Sequence, residues 1–360
     1  MKKTIKKSPP ALMKGNEALA EAAMRAGMDA YFGYPITPQS EILEYLIKHG
    51  PKRNVVVLQA ESEIASINMV YGAAGAGARV MISSSSPGIS LMQEGISYIA
   101  SAQIPCLIVN VQRGGPGLGT IQPAQGDYFQ ATKGGGHGDY HMIVLAPASV
   151  QEMSDLVVDG FELAEKYRCP TMILTDGALG QMMEAVRLPE EGQLPKQIPD
   201  WATRGKPADK ERRILTSLFI QPEKMEEVNH VLQEKYSRIQ AEARAEVFHT
   251  DDADVVLVAF GLSSRVCQKV VEMAREQGIR AGLIRPITVY PFPTDIIREA
   301  AERVERFLVV EMNAGQMVED VRLAVNGKKP VDFTGRMGGI VPTPEEILEK
   351  IHQLHQPAQV

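Results

Sequence analysis

Residues 78–88 read Ala78-Arg79-Val80-Met81-Ile82-Ser83-Ser84-Ser85-Ser86-Pro87-Gly88. A short apolar run ends abruptly in four hydroxyls, a proline and a glycine, and a helical pattern follows. Apolar runs of this length bounded by turn residues read as buried strands, and the proline suits the first turn of a helix. One serine is expected to cap that helix. Four are more than a cap requires, so the excess points to a polar cavity wall that receives oxygen-rich ligand groups.

The same unit recurs on either side. Strands are expected over 30–34, 55–59, 78–82, 106–111, 142–145 and 171–174, with helical periods between them, such as the stripe Ile64, Ile67, Val70 and Ala74. Strand–helix alternation implies an α/β fold with a mostly parallel sheet covered on both faces. Ligands of such sheets sit beyond the carboxyl ends of the strands. From residue 186 to 250 the pattern lapses. Pro189, Pro195, Pro199 and Pro207 mark a linker or wrapped arm, and a charged helix over 222–247 reads as solvated or inter-subunit. A smaller α/β unit is expected over 251–360, with strands at 255–260, 281–284 and 307–310, helices at 264–276 and 294–304, and a last helix near 345–354.

Composition narrows the function classes. The chain has 360 residues, 44% hydrophobic and 23% charged, with a net charge of -6. That is a soluble globular balance, and the acidic charge argues against nucleic acid as a partner. The basic start, Lys2, Lys3, Lys6 and Lys7, runs into Ser8-Pro9-Pro10 where a signal peptide needs an apolar stretch. No apolar run reaches membrane-spanning length, and a cytoplasmic location is expected. Cys106, Cys169 and Cys267 are too few and too scattered for an iron–sulfur cluster or a zinc site. Any redox centre is expected on another chain.

The loops after the strands carry the candidate chemistry. The first is Tyr34-Pro35-Ile36-Thr37-Pro38-Gln39, in which Thr37 reads either as a helix cap or as a ligand contact. The second is Glu61-Ser62-Glu63, where a carboxylate either complements a helix dipole or meets a buried ligand nitrogen. The fourth begins Gln112-Arg113-Gly114-Gly115-Pro116 and continues to Lys133-Gly134-Gly135-Gly136-His137. Nine glycines between Gly114 and Gly138 suggest a flexible active-site loop. It matches neither a P-loop nor a dinucleotide fingerprint. Arg113 reads as a site residue or a structural ion pair, and His137 as a site residue or an exposed loop histidine. In the second unit, Glu311-Met312-Asn313 and its neighbours form no acid–base pair or metal cluster, and packing is the default.

Taken in order, these loops resemble the 2-oxoacid:ferredoxin oxidoreductases, and within them the alpha-type subunit. The matching stretches are Lys14-Gly15-Asn16-Glu17, Gly33 to Pro38, Glu61-Ser62-Glu63, Ser85 to Glu94, Arg113 to Pro116, and Pro147 to Glu152. The resemblance implies a pyrimidine-binding domain for thiamine diphosphate over 1–185, a linker with a charged helix over 186–250, and a transketolase C-terminal-like domain over 251–360. It implies that Glu63 hydrogen-bonds the aminopyrimidine, that Thr37 and Arg113 meet the substrate carboxylate, and that Pro35, Ile36, Thr37, Glu63 and Ser86 contact the cofactor. The Gly-Asp-Gly…Asn signature for Mg²⁺ and diphosphate is missing here. The resemblance therefore assigns Mg²⁺ to a beta subunit, [4Fe-4S] clusters to beta or gamma-type partners, and the whole to a dimer of heteromers. No metal site is expected on this chain.

The implied reaction is oxidative decarboxylation of a 2-oxoacid, with coenzyme A as co-substrate and ferredoxin as acceptor. Ser83–Ser86 and 133–140 are most similar to the branched-chain (3-methyl-2-oxobutanoate) type. The 2-oxoglutarate type is the alternative, with Lys133 and His137 as cations for a distal carboxylate. A non-catalytic α/β scaffolding subunit, or a thiamine enzyme with another acceptor such as a decarboxylase or transketolase, are the competing classes.

Overall fold

The structure is a computed structural model that describes residues 6–192, 198–206, 208 and 211–355. Lys2, Lys3, Pro195 and Pro207 lie outside the described residues. In chain order the strands are β1 (Ala11–Lys14), β2 (Ala30–Gly33), β3 (Val56–Gln59), β4 (Val80–Ser84), β5 (Cys106–Gln112), β6 (Ile143–Leu145), β7 (Pro170–Asp176) and β8 (Met183–Val186). They continue as β9 (Ala245–Phe248), β10 (Val255–Val258), β11 (Ala281–Pro286), β12 (Thr288–Tyr290), β13 (Arg306–Glu311) and β14 (Val331–Gly335).

The main sheet has the order β12-β6-β7-β5-β4-β2-β3. Every pairing in it is parallel except β12 on β6. At its centre β5 and β7 are buried along their whole length, as expected where helices cover both faces. A second sheet, β14-β13-β10-β11-β9, is parallel apart from β9. The expected α/β architecture is present, and β1 with β8 adds a small antiparallel ribbon.

The order of the main sheet positions the site. Strands β2, β3, β4 and β5 are neighbours that point the same way, so the loops from Tyr34, Ala60, Ser85 and Arg113 emerge along one edge. Three expectations need correction there. Ile64 is 51% exposed while Ile67, Val70 and Ala74 are buried, so the stripe on the helix Glu63–Gly75 begins one turn later. The helix after Thr37 starts at Ser40 with Gln39 at its N-cap position, so Thr37 is not its cap. None of the four serines caps the helix Ser86–Ser101 with its side chain.

The middle of the chain also differs from expectation. The charged helix ends at Ile239, and residues 245–248 form β9. That helix is docked rather than solvated: Leu232, Lys235, Tyr236 and Ile239 are buried, and Lys235 Nζ donates to the Arg168 carbonyl at 3.0 Å. The arm before it wraps the first sheet. Trp201 stacks under the Arg168 guanidinium, and Thr203 N donates to Gly75 O at 3.0 Å. Among the described residues no helix is long and apolar enough to cross a membrane.

Candidate active site

Glu63 opens its helix directly after the N-cap Ser62, whose hydroxyl accepts from Ala65 N at 3.2 Å. A carboxylate serving only the helix dipole would sit in water. This one is 7% exposed and makes no hydrogen bond or ion pair with any described residue. The close approach of the helix Ser86–Ser101 creates the burial. A Cβ placed on Gly88 would stand 2.7 Å from Glu63 Oε1 and 2.1 Å from Ser84 Oγ, so any side chain there would displace one or both of them. Buried carboxylates are normally paired, and an unpaired one facing an open loop suits a ligand that brings its own N–H.

The loop Tyr34–Gln39 is held from below. Tyr31 and Ser83 share a hydrogen bond of 2.7 Å, Ser83 donates to Gln39 Oε1 at 2.6 Å, and Gln39 Nε2 donates to Tyr34 O at 3.2 Å. From the side, buried Asn16 donates to Pro38 O at 2.8 Å and to Glu41 at 2.9 Å. The loop's upper surface is left open: Pro35 and Thr37 are exposed and Ile36 is half-buried.

Arg113 crosses to this loop. Its guanidinium donates to Thr37 O at 3.0 Å and to Leu118 O at 2.9 Å, and its main chain bonds Ser86 Oγ in both directions. Nε of Arg113 is buried without a partner among the described residues. Thr37, Ser86 and Arg113 therefore share one rim, with Glu63 beneath it against Ser84 and Gly88. Ser85 adds a buried hydroxyl that has no partner among the described residues.

Lys133 and His137 stand apart from this rim. The Lys133 ammonium pairs with Asp320, which also accepts from Tyr128 OH at 2.6 Å. His137 lies beside Ser97 and Tyr98, roughly 16 Å along the helix from Ser86 at the rise of an α-helix. Their loop is not free. Gln125 bonds Phe260, Ser263 and Met312, and Gln316 bonds Gly126 and Phe129, so the second sheet's turns grip it. The segment expected to be flexible is thus held at several points: Gln125, Gly126, Phe129 and Lys133 bond the neighbouring unit, while Asp127 and His137 bond within the first.

Sequence reasoning missed Asp127. It follows the gripped Gly126, accepts from Asn110 Nδ2 at 2.8 Å, and donates its main-chain N–H to Gln112 Oε1 at 3.1 Å. Burial raises the pKa of its carboxyl, and the hydrogen bond from Asn110 acts against that rise. Its only signal in the sequence was an acid inside a glycine-rich loop. A separate cavity of about 820 Å³ lies between the helices Val150–Tyr167 and Gly261–Glu276, lined by Arg265, Lys269 and Arg285. Each of these cations is paired with an acid, Glu184, Glu272 and Glu152 in turn. Among the described residues no cluster of His, Cys, Asp and Glu could hold a metal ion.

Residues 21–253 match the family described as pyruvate flavodoxin/ferredoxin oxidoreductase, thiamine diphosphate-binding, and residues 253–347 match the pyruvate:ferredoxin oxidoreductase core domain II. Among curated proteins, the chain is 53% identical over 344 residues to the ketoisovalerate oxidoreductase subunit VorB of Methanothermobacter thermautotrophicus, covering 95% of this chain and 97% of that one. It belongs to the 2-oxoacid:ferredoxin oxidoreductase family, as an alpha-type subunit. Identity to the 2-oxoglutarate synthase subunit KorA of Methanothermobacter marburgensis is 38%, covering 94% of this chain and 97% of that relative.

A solved 2-oxoglutarate:ferredoxin oxidoreductase from Magnetococcus marinus, with 2-oxoglutarate, coenzyme A and succinyl-CoA bound, superposes with a TM-score of 0.84 at 28% identity. It covers 97% of this oxidoreductase chain, which in turn spans 66% of that one. A split-gene transketolase, at a TM-score of 0.60 and 14% identity, shares the fold. Relatives named as subunits place the chain in a multi-subunit enzyme. The thiamine diphosphate-binding region includes every loop of the rim.

Proposed function

We propose that this chain supplies the aminopyrimidine half of a split active site that oxidises a branched-chain 2-oxoacid, 3-methyl-2-oxobutanoate, to its acyl-CoA and CO₂. The unpaired, buried Glu63 carboxylate under an exposed rim carries this reading. Bound thiamine diphosphate supplies a nucleophilic thiazolium carbon and an electron sink for the decarboxylation. Glu63 holds a proton at the aminopyrimidine nitrogen, with Ser84 and Gly88 fixing where its oxygens stand. Pro35, Ile36, Thr37 and Ser86 form the wall against which the ring lies. Arg113 and Thr37 orient the substrate's 1-carboxylate, a contact in which the spare guanidinium donors suit a carboxylate.

The open upper face of this site faces a partner. A beta subunit would bring the diphosphate ligands and Mg²⁺, and beta or gamma-type subunits the [4Fe-4S] clusters that pass electrons one at a time to ferredoxin. The assembly reads as a cytoplasmic dimer of heteromers, with residues 1–185 and 251–360 as the chain's two units. A scaffolding role is less suited to the chain, because a non-catalytic subunit has no use for a buried unpaired acid at this point.

Support for the branched substrate comes from the 53% identity to a ketoisovalerate oxidoreductase subunit against 38% to a 2-oxoglutarate synthase subunit. A second carboxylate would need a cation when buried. Lys133 is committed to Asp320, and His137 lies beside Ser97 and Tyr98, away from the rim. The purified complex is expected to prefer 3-methyl-2-oxobutanoate over 2-oxoglutarate in kcat/KM. Lys133→Ala and His137→Ala should leave that ratio unchanged, while Arg113→Ala lowers turnover of both. Selective loss of a dominant 2-oxoglutarate activity in either of the first two variants would falsify the branched-chain reading.

A further inference from the structure

The Arg113 guanidinium takes one of its two bearings from a carbonyl at the tip of a turn. That carbonyl is Leu118 O, 2.9 Å away, and the Leu118 residue is 82% exposed. Within the turn, Gly114 N donates to Gln122 O at 3.0 Å, Thr120 N donates to Gly114 O at 2.7 Å, and Arg113 forms an antiparallel bridge with Pro123. These bonds close the turn on itself. Glycine at four of the nine positions 114–122 leaves it a backbone with little stiffness of its own.

The backing comes from the other unit. Past the end of β14, the main chain at Gly338 and Gly339 lies against the turn, and Thr120 Oγ1 donates to Gly338 O at 3.3 Å. A Cβ on Gly114 would stand 2.6 Å from the Gly338 carbonyl carbon and 2.8 Å from Gly339 N. A Cβ on Gly339 would stand 2.5 Å from Gln122 Cβ. The atoms met at Gly114 are main-chain atoms that cannot rotate aside, so two backbones touch where a side chain would hold them apart. The backing segment is itself fixed. Arg336 N donates to Glu311 O at 3.2 Å, the Arg336 guanidinium pairs with Glu346, and Gly338 and Gly339 hold φ of +68° and +101°, which other residues rarely adopt.

We infer that Gly338 and Gly339 of the C-terminal unit are positioning residues for Arg113, because they back the turn whose Leu118 carbonyl aims the guanidinium. The inference rests on the reading that Arg113 meets the substrate carboxylate. The unpartnered Nε of Arg113 offers no compensating anchor among the described residues. A turn pushed off its backing moves Leu118 O, and the guanidinium moves with it.

The test is a double-substitution cycle on the assembled complex, with steady-state kcat/KM for the 2-oxoacid and for coenzyme A. Gly114→Ala forces the two main chains apart from the first unit's side, and Gly339→Ala does so from the C-terminal side. Each should lower kcat/KM for the 2-oxoacid about 10-fold, within the loss that a small misplacement of an orienting group brings. The value for coenzyme A should stay as it was, which a general loosening of the complex would not allow. In an Arg113→Ala background neither variant should add anything further. Gly115→Ala places its methyl in open space and should change neither value. An equal loss in Gly115→Ala and Gly114→Ala would make turn stiffness the cause and overturn the inference. Thr120→Val keeps every glycine but removes the hydroxyl that bonds Gln122 N and Gly338 O, and should lower the 2-oxoacid value about 5-fold. It carries the test if the alanine variants fail to assemble. An unchanged 2-oxoacid value in Gly339→Ala or in Thr120→Val, while Arg113→Ala lowers it, overturns this inference alone. Losses that add to that of Arg113→Ala overturn it equally. If Arg113→Ala itself leaves the 2-oxoacid value untouched, the Arg113 reading falls and this inference with it.

Discussion

Replacing Glu63 separates stability from turnover. The carboxylate is buried and makes no hydrogen bond or ion pair with any described residue, so an amide of the same size breaks no contact there. The same change removes the group proposed to exchange a proton with the cofactor. Glu63→Gln is therefore expected to lower turnover of the assembled complex by about 10²–10⁴, the usual weight of one acid–base group, while its melting midpoint holds. Steady-state assay beside a thermal melt checks both halves. Near-normal turnover would return Glu63 to a helix-terminus role.

Asp176 lies at the carboxyl end of β7. Its carboxylate accepts from Ala178 N and Leu179 N, yet burial raises it to about 6. Between roughly pH 4, the ordinary value for aspartate, and pH 6 the folded chain binds more protons than the unfolded one. Stability from this group is thus greatest below that window and falls as the pH rises through it. Asparagine caps a helix as well as aspartate does. Asp176→Asn should therefore raise the melting midpoint of the complex at pH 7.5, with the advantage shrinking toward pH 4. A midpoint lowered at pH 7.5 would contradict this.

At the scale of elements, the sequence was most readable where strands are wholly buried. β4, β5 and β7 are continuous apolar runs closed by polar residues, and they were found within a residue or two of their ends. Of the short edge strands, β3 was found but β9 and β12 were not. β12 is three residues between prolines, and β9 follows a charged helix with no turn signal, so neither carries enough apolar residues to register. β14 does alternate, with Val331 and Phe333 against Asp332 and Thr334, and was legible in principle.

The rim was legible for a different reason. Loops after parallel strands are the ligand face of any such sheet, so the loops that carry Thr37, Glu63, Ser86 and Arg113 could be grouped by their place in the chain, while the roles expected of those residues came from the family resemblance. What a one-dimensional reading could not supply was the commitment of side chains between units. Lys133 looked free because its partner Asp320 is 187 residues away. Asp127 looked incidental because Asn110 and Gln112 meet it only in three dimensions.

For the molecule as a whole, an active site open on one face predicts dependence on partners. With Pro35 and Thr37 exposed, no Gly-Asp-Gly…Asn signature in the sequence, and no metal-holding cluster among the described residues, the isolated chain is expected to bind thiamine diphosphate weakly. Calorimetric titration of the lone subunit against the assembled complex measures this, and tight stoichiometric binding by the lone subunit would contradict the split-site arrangement.

The antiparallel strand β12 brings a further constraint, one of timing. It comes from beyond the family's thiamine diphosphate-binding region, yet it closes the β6 edge of the main sheet. During synthesis the β6 edge emerges with its hydrogen-bonding groups unmet until residue 290 is made, a delay on the order of 7–30 s at ordinary elongation rates. An open strand edge is a template for pairing with other chains. A chain truncated at residue 253, the natural-looking boundary between the two matched regions, is expected to appear largely in the insoluble fraction on expression. One ending after Tyr290 should recover part of its solubility. Co-translational assembly with a partner would protect the rim but not this edge, which only the chain's own C-terminal half can cover.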